Sequence, residues 1–135
     1  MIKEREMSRE ILFRGKKFDG EWIYGSVHYS GKSVFISRKV GCAYGYSQVN
    51  SRSIGQYTGK NDKNGRNIFE GDVLKVSITD DFEPCEFKEV VFWDEKQCGY
   101  CVREQGAPDP FPLGDCDLEN SVVIGNIFDN PELMA

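Results

Sequence analysis

Short runs of alternating apolar and polar residues, repeatedly cut off by glycine, do most to limit the folds open to this chain. Leu74, Val76 and Ile78 alternate with Lys75, Ser77 and Thr79, which places three aliphatics on one face of a strand. Val91 and Trp93 oppose Val90 and Phe92, so a second strand there is expected to be covered on both sides. Asp94-Glu95-Lys96-Gln97 then turns the chain into Tyr100-Cys101-Val102, completing an antiparallel hairpin. Further strands are expected over 10–14, 22–29, 33–38 and 121–127. Few windows support a helix longer than one or two turns. The C-terminal Asn130-Pro131-Glu132-Leu133-Met134 suits a short turn, with Asn130 as cap and Pro131 in the first helical position.

Two stretches read as long loops. Residues 39–54 are rich in Gly, Ser and Tyr, and residues 104–115 contain Pro108, Pro110 and Pro112, none of which can donate to a ladder. Many short strands joined by glycine turns predict an all-β chain and a small barrel. At 135 residues, 39 % of them hydrophobic, the chain has the size of one domain and enough apolar content to pack a core. No stretch approaches the roughly 20 apolar residues of a membrane span, and the charged N-terminus lacks an apolar signal core. A soluble, cytoplasmic protein that makes no membrane contact is the expectation, with Met7 as an alternative start. Five cysteines, an odd number, favour free thiols in a reducing compartment.

The formal net charge of −5 hides an asymmetry. Residues 1–66 carry 13 Lys/Arg and 6 Asp/Glu, whereas residues 67–135 carry 4 and 16. Such a division suits a polyanion-binding surface, an acidic interaction face or head-to-tail association. The plainer expectation is that the halves share one core and neutralise each other.

Each motif with chemical potential has a structural alternative that weighs more. Asn64-Gly65 is a type I′ turn signal. Asp62-x-Asn64-Gly65 echoes a calcium loop but fails on register, because Lys60 and Gly71 fall where the two key carboxylates belong. In Glu70-Gly71-Asp72-Val73 the glycine suits a tight bend and Asp72 can bond nearby backbone amides. A catalytic pair of Glu70 and Asp72 lacks a second half. Cys98-Gly99-Tyr100-Cys101 has CxxC spacing, yet a structural zinc needs about four ligands, and on a strand the two thiols face opposite sides. Asp115, Asp117 and Glu119 alternate; an extended segment would display them as a row able to hold a cation or meet a basic partner. His28 is the single histidine, so any histidine-dependent catalysis must use it. No nucleophile elbow, phosphate-cradling loop or metalloprotease motif occurs.

The segments Arg9–Lys16, Glu21–Gly25, Gly55–Gly59, Asp62–Gly65, Glu70–Val73, Val123–Ile127 and Asn130–Leu133 together resemble the YopX family, small proteins found mainly in bacteriophages and prophages. The matching blocks span roughly residues 8–133. The resemblance implies a single domain over 1–135, an SH3-like barrel formed mainly by 55–135, additional N-terminal strands beside it, and a flexible stretch at 1–8. It also implies a host bacterial cytoplasm. That family has no established biochemical activity, so the resemblance supplies a setting but no reaction or site residue.

The leading expectation is a non-enzymatic protein-interaction module with no catalytic residues, no cofactor and no metal. Its partner would be a host or phage protein, with homo-oligomers a further option. Tyr44 and Tyr46 in the first long loop and Phe111 in the second are the candidate partner-binding residues, being large apolar groups on loops. The alternative is a nucleic-acid-binding small barrel. The cations Arg9, Arg14, Lys16, Lys17, Lys32, Arg38, Lys39 and Arg52 interleave with aromatics in the basic half, which supplies phosphate contacts and stacking surfaces.

Overall fold

A computed structural model describes residues 9–40 and 43–135, with the side chains of 39, 40, 43 and 44 outside that description. Eleven strands form two antiparallel sheets: β1 Phe13–Lys16, β2 Trp22–Ser30, β3 Ser33–Val40, β4 Ala43–Val49, β5 Gly55–Asn61, β6 Asn67–Phe69, β7 Asp72–Asp80, β8 Glu83–Asp94, β9 Gly99–Glu104, β10 Phe111–Pro112 and β11 Ser121–Asn126. The first sheet runs β4-β3-β2-β1-β5-β6 and the second β10-β9-β8-β7-β11. Helical structure among the described residues is limited to four short 3-10 turns. The chain is therefore mainly β, as its alternation requires.

The expected strands all form, with shifted ends. The hairpin through Asp94–Gln97 pairs Val91 with Val102 and Trp93 with Tyr100. The loop expected over 39–54 is corrected: its Tyr-Gly-Tyr alternation builds β4, which pairs along β3 from Val34–Val49 to Val40–Ala43. Tyrosine fits a pleated surface well enough to outweigh the glycines around it. The second loop is shorter than expected, because Phe111 and Pro112 add an edge strand beside β9. Pro112 is tolerated there because an edge strand leaves one side unpaired.

Asn64-Gly65 does turn the chain, but not in the type I′ form. Lys63 and Asn64 occupy the centre, the Gly65 amide donates to the Asp62 carbonyl at 3.0 Å, and of these residues Gly65 alone takes a positive φ, +79°. A second two-residue turn, Asp81-Phe82, joins β7 to β8 with positive φ at both residues.

The two halves do not share one apolar core. Ile23, Val34, Ile36 and Val49 make one cluster inside the first sheet, with Phe13, Val27 and Ile54 against it. Ile68, Leu74, Val91, Val102, Leu113 and Val123 make the other, inside the second sheet. Ile68 joins this second cluster from β6, a strand of the first sheet. The halves meet through aromatic pairs, Trp22 with Phe128 and both Tyr24 and Tyr57 with Phe69, and through polar groups drawn from their opposite charges. Arg14 Nη2 lies 2.7 Å from Asp72 Oδ1, both side chains buried, and the guanidinium sits over the Trp22 and Phe69 rings at 4.9 Å each. Lys16 reaches Asp129 at 2.6 Å. Asp62 of the first half accepts from the Val123 amide of β11 at 3.0 Å.

Candidate binding site

The second sheet turns one face toward its cluster, and period-two alternation fixes which residues share that face. Pairing places Leu74, Glu89 and Glu104 side by side across β7, β8 and β9, with Val76 beside Phe87 and Ile78 beside Cys85 one step further out. A carboxylate thus stands at the core side of a central strand. Glu89 is only 6 % exposed. No described donor bonds its carboxylate. Burial, reinforced by the charge of Glu104, pushes Glu89 up to about 7.

The chain after β9 closes over this end of the sheet. Gln105 N–H bonds the Lys88 carbonyl and Ala107 N–H the Glu104 carbonyl, each at 2.9–3.0 Å. Phe111 pairs with Val102, Leu113 is buried beneath, and the Cys116 thiol donates to the Pro112 carbonyl at 3.4 Å. What remains is a solvent-open cavity of about 420 Å³. Val76, Ile78, Phe87, Val102 and Phe111 supply its apolar walls. Glu89 and Glu104 lie within it, Asp109, Asp115 and Asp117 stand around it, and it has no Lys, Arg or His. The size falls within the range of small-ligand pockets.

Cys116 also lines this cavity. Burial and the neighbouring Glu89 and Asp115 charges push its thiol up to about 12, which leaves it protonated and a poor nucleophile. The site therefore joins carboxylates to apolar surface, with its thiol held in the unreactive form.

Of the residues singled out from sequence, Phe111 and two of the three alternating acids meet here. The row itself is corrected: Asp115 and Glu119 lie in separate 3-10 turns, Leu113–Asp115 and Leu118–Asn120, so Asp115 and Asp117 line the cavity and Glu119 does not. Tyr46 lies on the other sheet, 62 % exposed, stacked edgewise against His28 at 5.2 Å. The Tyr44 side chain falls outside the described residues. His28 is paired with the Ser37 hydroxyl at 2.9 Å. Cys98 is exposed in a turn at φ +51° while Cys101 is buried, so the CxxC thiols do not converge. Among the described residues, no three His, Cys, Asp or Glu side chains form a group able to hold a metal.

The acidic motifs of the turns are consumed by the backbone. Asp62 Oδ1 accepts from the Asn64 and Arg66 amides at 2.9 Å each, and Oδ2 from Val123. Burial opposes ionisation of Asp62, but the three amides outweigh it and hold the carboxyl below its ordinary range. Glu70 accepts from the Gln56 amide at 3.0 Å, and Asp72 from that of Phe69 at 2.8 Å. Burial pushes the Asp72 carboxyl up against the pull of Arg14 and that amide. The residue missed from sequence is Glu89. Its signal was present: Phe87, Glu89, Val91 and Trp93 share one face, which sets a carboxylate in an otherwise apolar series.

The family model described as YopX protein matches residues 12–135. No curated protein matches. Among solved structures, the chain is similar to the crystal structure of protein EF1440 from Enterococcus faecalis, at 20 % identity and a TM-score of 0.56. That match covers 95 % of this chain and 100 % of the other. Such identity carries the fold alone. No helix of the described residues is long and apolar enough to cross a membrane.

Proposed function

Because the chain belongs to the YopX family, we propose that it is a phage- or prophage-encoded protein of the bacterial cytoplasm that works by binding another protein and performs no catalysis. The observation that carries this reading is the cavity beside Phe111, which joins an apolar lining to carboxylates that no Lys, Arg or His of the lining balances. Phe111 is 51 % exposed at its edge, as a contact residue must be. Of the candidate groups singled out from sequence, Asp62, Glu70 and Asp72 bind backbone amides, and His28 bonds Ser37.

A tagged pulldown from host cytoplasm, with and without nuclease and at two salt concentrations, tests the proposal. A discrete protein retained after nuclease by the wild type and lost in Phe111→Ala is the expected result. The pair Tyr44→Ala with Tyr46→Ala, on the other sheet, distinguishes a second contact surface. Failure to retain any protein removes the interaction-module reading.

Nucleic-acid binding is the second reading, favoured by the outer face of the first sheet, where Tyr24, His28 and Tyr46 stand exposed. Its weakness is that Arg14, Lys16 and Lys17 are already paired, with Asp72, Asp129, and Asp19 and Glu21. It requires an affinity that drops steeply with salt.

A further inference from the structure

We propose that the cavity between β8, β9 and the 105–117 connection receives an arginine side chain presented by an extended segment of the partner, with Glu89 as its buried counter-ion. The inference rests on the protein-binding reading above and names what the partner must present.

Three observations converge on this occupant. First, Glu89 is more than nine-tenths buried, lines the cavity and has no hydrogen-bond or ion-pair partner among the described residues. Its carboxylate opens on the cavity, yet a largely buried charge that no cation balances is costly, and a like charge directly opposite, here Glu104, adds to the cost. The fold gains nothing from that arrangement; a bound cation would. Second, the groups that face Glu89 are all acidic or neutral. Glu104 comes from β9; Asp109, Asp115, Cys116 and Asp117 come from the connection; Leu74 and Val76 come from β7. Charge complementarity therefore selects a cation. Third, the walls are apolar and aromatic. Phe87 and Phe111 supply aromatic rings, and Val76, Ile78 and Val102 supply aliphatic surface for a methylene stem.

Arginine meets all three conditions together. Its planar guanidinium carries five donors, matches carboxylates in two-point bonds and stacks on aromatic rings, while its methylenes lie along apolar surface. A bare divalent ion would leave the apolar walls unused, and a neutral side chain would leave Glu89 unpaired.

The full-length chain, isotopically labelled, is titrated with the peptide acetyl-Gly-Leu-Arg-Leu-Gly-amide and followed by NMR. The matched peptide with citrulline in place of arginine and Mn²⁺ alone serve as comparison probes. The expected result at pH 8 is movement of the Glu89 carboxyl signal and of β8 and β9 amides with the arginine peptide, and none with citrulline. Binding should be about tenfold weaker at pH 6, because Glu89 must then give up a proton to bind. Glu89→Gln should lose at least tenfold in affinity while its remaining amide spectrum stays native. Equal response to both peptides, selective broadening by Mn²⁺ without a peptide response, or undiminished binding by Glu89→Gln would overturn the proposal. If the pulldown retains a partner equally with wild type and Glu89→Gln, the arginine pocket fails and the interaction module stands. If no partner is retained by either protein, the module reading fails, and the peptide titration still decides the pocket.

Discussion

At the scale of single residues, Glu89 is where the chain departs from what its fold would choose. Its carboxyl is raised from an ordinary value of 4.5 to about 7. Between those values the native state holds a proton that the unfolded chain has released, so stability falls as pH rises and the full penalty applies above pH 7. At about 1.4 kcal/mol per unit, a rise from 4.5 to about 7 puts the penalty on the order of 3–4 kcal/mol at pH 8. Glu89→Gln removes the ionisable group and keeps the shape. Thermal unfolding should find the variant several degrees more stable than wild type at pH 8 and nearly equal to it at pH 4, below the ordinary value of 4.5. Equal melting at both values would mean that Glu89 is already satisfied in the native state and that the cavity has no unmet charge. The position was legible in principle, since Glu89 sits in register with Phe87, Val91 and Trp93. What the sequence lacked was any sign that Glu104, fifteen residues on, would pair opposite it.

At the scale of elements, turns decided what could be read in advance. The hairpin through Asp94–Gln97 was legible because polar turn residues separate two apolar runs. The turn at Asp81-Phe82 was not, because a phenylalanine at φ +69° carries no turn signal. Residues 83–89 consequently gave no warning that β8 would run for twelve residues. Glycine signals divided the same way. Gly71 at φ +89° marks a bend that any side chain would strain. Gly125 has no such φ, yet a Cβ there would stand 2.5 Å from Asn130 Oδ1, a close approach that only the fold reveals. The turn at Asp62 is the element that ties the sheets. It fixes three amides with one side chain, including the Val123 amide 61 residues away. Asp62→Ala should therefore cost on the order of 3 kcal/mol, more than an ordinary turn substitution. Hydrogen exchange should speed first at the Val123 amide. Unchanged protection at Val123 would show that β11 holds its place without Asp62.

At the scale of the whole molecule, the charge asymmetry is resolved inside the chain. A basic half and an acidic half each bury their own apolar cluster, and their opposite charges meet between them in the Arg14–Asp72 and Lys16–Asp129 pairs. Only the first pair is fully buried; Arg14 also donates to the Glu70 carbonyl at 3.2 Å while its Nε has no described acceptor, so the pair is costly to break. Removing one partner leaves the other charge buried, at about 3–5 kcal/mol. Because the clusters are separate, the loss should weaken cooperation between the halves more than either half alone. The chain offers a probe in each: Trp22 lies in the first half and Trp93 in the second, and these are its only two tryptophans. In urea, Trp22→Phe and Trp93→Phe proteins should each unfold at the same midpoint while Arg14 is intact. With Arg14→Ala added, the two reporters should separate, and the apparent slope of the transition should fall as two-state behaviour fails. Coincident midpoints in the Arg14→Ala background would mean that the Asp62 turn and the β5–β6 hairpin suffice to join the halves. The buried ion pair would then stabilise the molecule without coupling its parts.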